Sequence, residues 1–91
     1  MKHKIKFNER TSVEFEKGNK QFNRLFLITQ MRYLNDLLKA RGYVYMNNIY
    51  ENLGLAWNPF WENSCIIIDD CKCIKFDIRS VKDGFNVTIT W

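Results

Sequence analysis

Ninety-one residues, 46% hydrophobic and 15% aromatic, suffice for one core and leave little chain for a deep catalytic cleft. The net charge of +4 is uneven: residues 1–45 carry ten Lys/Arg against four Asp/Glu, and residues 46–91 carry four against six. No apolar run is longer than the four residues of Leu25 to Ile28, far too short to span a bilayer. The basic start lacks the apolar core of a secretory leader, and three cysteines do not make a paired disulfide framework. These features predict a cytoplasmic chain with reduced thiols and no membrane contact.

Residues 2–16 read as a first hairpin. His3, Ile5 and Phe7 alternate with Lys2, Lys4 and Lys6, the chain turns at Asn8, Glu9 and Arg10, and Val13 and Phe15 follow against Ser12, Glu14 and Glu16. As neighbours, the two strands would set the lysine row against the glutamates on the wet face. Gly18 and Asn19 break the alternation, and a helix is predicted over residues 20–41. Leu27, Met31, Leu34 and Leu38 form its stripe, widened by Phe26, Tyr33 and Leu37, with Arg32, Asn35, Asp36 and Lys39 opposite. Leu25 and Ile28 fall on the polar side. Gly42, after Lys39 and Arg41, stops the helix.

Residues 43–46 are expected to form a short strand. A brief helix follows, with Asn48 as its cap, Glu51 three residues on, Ile49 and Leu53 inward and Gly54 at its end. Pro59 keeps residues 55–64 irregular. Residues 65–68 read as a buried strand, Asp69 and Asp70 as a turn, and residues 73–79 as the returning strand. Asp83 and Gly84 make the last turn before residues 85–91, where Phe85, Val87, Ile89 and Trp91 alternate with Asn86, Thr88 and Thr90. The whole chain, 1–91, is expected to be a single α+β domain: an antiparallel sheet of about four or five strands packed on one long helix, with a second short helix.

No residues assemble a reactive site. The only histidine is His3, and the four glycines stand apart, so neither a base beside a nucleophile nor a phosphate loop is legible. Cys65, Cys71 and Cys73 with His3 lack the spacing of a zinc knuckle. Asp69 and Asp70 sit where a turn needs Asp for backbone reasons. The expectation is a protein that is not an enzyme, with no cofactor, no metal and no catalytic residues. Trp57, Phe60 and Trp61, followed back to Tyr43 and Tyr45, offer the residue types that dominate protein interfaces. The same rings would also serve to close the core, and the sequence leaves both uses open. The competing class is a nucleic-acid binder using the basic half, through Lys2, Lys4, Lys6, Arg10, Lys17, Lys20 and Arg24. Self-association through an exposed strand edge, giving a homo-oligomer, is a third.

The stretch YLNDLLKARGYVYMNNIYENLGL, residues 33–55, resembles a segment of small uncharacterised proteins of Firmicutes phages and mobile elements. Those read as a leucine-rich helix ending in Arg-Gly-aromatic, a short extended piece, then Asn-x-x-Tyr-(Asp/Glu)-x-x-Gly. Trp61 and residues 74–78, IKFDI, correspond to a later Gly-Trp and a later strand, although WNPF replaces the small-residue loop of that group and the strand lacks its glycine. The resemblance implies a phage or mobile-element origin and no activity. The sequence reading is therefore a small protein-interaction module, an accessory or host-modulating protein that masks the surface of a protein partner.

Overall fold

The computed structural model describes residues 1–56, 59, 64–67 and 73–91. In chain order it has β1 (Lys2–Asn8), α1 (Lys20–Arg41), β2 (Tyr43–Tyr45), α2 (Met46–Asn52), β3 (Cys65–Ile67), β4 (Lys75–Val81) and β5 (Gly84–Thr90). The α+β class and both helices match the sequence reading. The single sheet of four or five strands does not. The strands divide into an antiparallel three-stranded sheet, β1-β5-β4, and a separate antiparallel ribbon, β2-β3.

The predicted first hairpin is replaced by a long-range pairing. β1 runs antiparallel to β5, with Lys4 opposite Thr88 and Ile5 opposite Val87. The physical reason lies in what each candidate partner offers. The whole seven-residue length of β5 faces β1 and brings Phe85, Val87 and Ile89 inward, all buried. The segment after β1 has only Val13 and Phe15, and its backbone is committed elsewhere. Asn8 Oδ1 accepts from the amides of Arg10 and Thr11, and the Val13 amide donates to the Gly54 carbonyl at 3.1 Å. Ser12 forms an isolated bridge to Leu55 and its hydroxyl donates to the Leu53 carbonyl. Val13 is consequently 89% exposed rather than inward. Glu14 and Glu16 therefore do not lie opposite the β1 lysines.

Helix α1 has the bounds that its pattern predicts. Asn19 caps it, its Oδ1 accepting from the Phe22 amide at 3.0 Å, and Gly42 ends it at φ 84°, its amide donating to the Leu38 carbonyl. Leu27, Leu34 and Leu38 are buried, and each contributes about 1.5–3 kcal/mol by leaving water. Met31, Phe26 and Leu37 pack partly buried against the same core, whereas Tyr33 and Leu25 are exposed. Two asparagines depart from a simple two-faced wheel. Asn23 is fully buried and holds the Glu16 backbone, accepting from its amide and donating to its carbonyl. Asn35, assigned to the wet face from the pattern, is half-buried and clasps Ile74 in the same way: its Nδ2 donates to the Ile74 carbonyl at 2.9 Å and its Oδ1 accepts from the Ile74 amide at 2.6 Å.

In α2 the cap is displaced from the predicted residue. Tyr45 is the N-cap, and Asn48 sits inside the helix with its Oδ1 accepting from the Tyr45 amide at 3.0 Å. β3 alternates instead of being buried throughout, with Ile66 inward and Cys65 and Ile67 outward. One cluster of buried side chains draws on all seven elements, from Ile5 and Phe7 through Val44, Ile49 and Ile66 to Ile89.

Candidate binding surfaces

The three-stranded sheet has two unlike faces because its residues alternate and its register aligns them. Across the sheet, the inner rows are His3–Ile89–Phe76, Ile5–Val87–Ile78 and Phe7–Phe85–Ser80. The outer rows are Lys2–Thr90–Lys75, Lys4–Thr88–Asp77, Lys6–Asn86–Arg79 and, at the end of the sheet, Asn8–Gly84–Val81. All six charged residues of these outer rows are exposed. Five are cationic and one, Asp77, is anionic, and its carboxylate meets the Arg79 guanidinium at 3.4 Å. None of the outer side chains is aromatic, and the one aliphatic among them is Val81, exposed at the far end of β4. The β1 lysines stand about 7 Å apart at alternate positions of a strand. At that spacing in water each neighbouring pair repels by roughly half a kcal/mol before salt screens it.

The β2-β3 ribbon presents a second outward surface. Val44 and Ile66 pair in register and are buried, which turns Tyr43, Tyr45, Cys65 and Ile67 outward. Tyr43, Tyr45 and Ile67 are 39%, 43% and 42% exposed, values that make them surface features in spite of their size. The two tyrosine rings meet edge to face with centroids 5.5 Å apart. Arg41 braces them: its guanidinium lies 4.6 Å from the Tyr43 ring centroid, its Nε donates to the Tyr43 carbonyl and its Nη2 donates to Asn48 Oδ1. Asn48 in turn holds the Tyr45 amide, so both tyrosines stand on a fixed backbone.

The remaining predicted cations divide among other places. Arg10, Lys17 and Lys20 line a cleft of about 340 Å³ at the start of α1, together with Lys82, Glu9 and Asp83. There Lys17 meets Glu9 at 3.8 Å and Lys20 Nζ donates to Ser80 Oγ at 2.6 Å. Arg24 lies on the helix side of the sheet, its guanidinium 5.6 Å from the centroid of the inner Phe85 ring. The seven predicted nucleic-acid contacts are therefore not one surface: Lys2, Lys4 and Lys6 share a face, Arg10 also borders a hollow beside Lys4 and Lys6, and Lys17, Lys20 and Arg24 do not join them. Lys75 and Arg79, which the sequence reading did not select, complete that face. Their strand was legible, but its neighbours were not. Tyr43 and Tyr45 do come together, whereas Trp57, Phe60 and Trp61 lie outside the described residues, as do Asp69, Asp70 and Cys71.

His3, on the inner face of β1, shares a 2.6 Å hydrogen bond between its Nε2 and the Tyr50 hydroxyl. Burial pushes its pKa below the ordinary 6.5, which favours a neutral ring. Among the described residues no three His, Cys, Asp or Glu side chains gather as a metal-binding group. No helix among them is long and apolar enough to cross a membrane.

A model of a family of unknown function (DUF6353) matches residues 2–82. The chain belongs to that family. No curated protein and no solved structure matches it. The DUF6353 match takes in β1 to β4 with both helices, hence all five outer-face cations, Arg41, both ribbon tyrosines and Ile67; the central strand β5 lies beyond the matched residues.

Proposed function

We propose that this DUF6353 chain is a non-enzymatic protein-interaction module that masks a partner's surface with the outer face of the β2-β3 ribbon. The observation that carries this reading is the exposed trio Tyr43, Tyr45 and Ile67, with Arg41 over the Tyr43 ring and Asn48 holding the Tyr45 amide. Tyrosines held on a fixed backbone lose little torsional freedom when a partner covers them, which is why such residues dominate interface energetics. Trp57, Phe60 and Trp61 belong to the same reading, because their segment leads directly into β3 in the sequence. The likeness of residues 33–55 to phage and mobile-element proteins supports an accessory or host-modulating role in a bacterial cytoplasm.

The test is affinity capture from the cells that carry this chain, with the intact protein as bait, beside Tyr43→Ala and Tyr45→Ala variants. A specific partner should be retained by the parent. Each variant should lose about 2 kcal/mol of binding, roughly 30-fold in Kd, with unchanged circular dichroism. Equal retention by all three proteins contradicts the ribbon as the contact. Unfolding of both variants assigns the rings to stability instead.

A further inference from the structure

We propose that the outer face of the β1-β5-β4 sheet is a second binding surface, one that takes the phosphate backbone of double-helical nucleic acid. The sign of the partner follows from charge. Five cations and one carboxylate occupy the twelve outward positions, whose one apolar side chain, Val81, stands at the end of β4, and the carboxylate is already paired with Arg79. The class of the partner follows from what the face lacks. A protein partner needs apolar anchors at the centre of its contact, and here the central strand presents Thr90, Thr88 and Asn86. A single strand is normally held by stacking its bases on exposed rings, and no side chain of the outer rows supplies one. A duplex asks for neither: its surface is a double row of phosphates, and contacts to them are polar, basic and wet.

The layout fits that demand. Lys2, Lys4 and Lys6 form one basic rail along β1, and Lys75 and Arg79 form another along β4. Two strand spacings, about 10 Å, separate the rails, with hydroxyl and amide side chains between them. Long lysine stems carry their charges off the sheet to either side, so the two rails reach phosphates on both walls of a groove about 6 Å wide. The charge asymmetry along the chain hid this surface. Lys75 and Arg79 belong to the half with more acidic than basic residues, and β5 brings them across to the basic half. The contacts proposed are to phosphates, so binding should be largely independent of sequence and of micromolar strength.

The test is fluorescence anisotropy of the intact protein with a 20-base-pair duplex, the matching single strand and anionic phospholipid vesicles, at about 50 and 200 mM salt. Four cations free to meet phosphates predict a log–log salt slope of about −3 to −4, hence a loss of roughly 100-fold in affinity over that range. The double variant Lys4→Gln/Lys75→Gln should bind at least about 10-fold more weakly and reduce the slope by about 2. Arg32→Gln, an exposed change on α1, should leave binding as it was. Because all three positions are exposed, circular dichroism should show the fold retained in each variant. Absence of duplex binding at the lower salt overturns the proposal. So does equal weakening by Arg32→Gln, tighter binding of the single strand, or capture by vesicles without capture of the duplex.

Discussion

His3 illustrates how one residue's surroundings decide its chemistry. The alternation of β1 points its ring inward, where it meets Tyr50 and is partly shielded from solvent, and the two rings lie 5.9 Å apart, nearly parallel. Burial penalises the charged imidazolium, so the folded-state pKa lies below 6.5. The unfolded chain then takes up a proton more readily than the folded one as pH falls through the unfolded value. Stability from this residue is complete above about pH 6.5 and is lost below it as the pH moves toward the lower folded-state pKa. Urea unfolding midpoints measured from pH 7.5 to 5 should decline, and His3→Gln should flatten the part of that decline below about 6.5. An identical pH profile in the variant would show that the ring titrates alike in both states.

Among the elements, α1 was the most legible. Its leucine stripe, Asn19 before it and Gly42 after it are local signals, and the helix follows them residue for residue. The short strands β2 and β3 were also near their predicted places. The pairing of β1 was not legible, because alternation tells a strand which side is wet and says nothing of which strand lies beside it. Nor could the helical wheel reveal that Asn35 leaves the polar side to bind backbone. That contact ties α1 to the residue preceding β4, satisfying a donor and an acceptor in a place no ladder reaches. Asn35→Ala would strand both groups of the Ile74 peptide units and should cost about 1–3 kcal/mol, measured by denaturant titration. A change within a few tenths of a kcal/mol would mean that water replaces the side chain at no cost.

At the scale of the whole molecule, both candidate surfaces follow from long-range pairing. The basic face exists because β5 lies between β1 and β4, and the tyrosine face exists because β3 pairs with β2 and turns Val44 and Ile66 inward. The candidate site was therefore half legible. Tyr43, Tyr45 and the β1 lysines stood out by residue type, while Ile67, Lys75 and Arg79 needed the register to join them. Had β1 folded back on residues 12–16, Lys4 and Lys6 would have faced glutamates and the basic face would be largely neutralised. The position of β1 is thus the claim on which the charge argument rests. Methyl and aliphatic NOEs of Ile5 test it most directly. The account predicts strong contacts from Ile5 to Val87, its register partner, and none to Val13. Contacts to Val13 in place of Val87 would contradict the account.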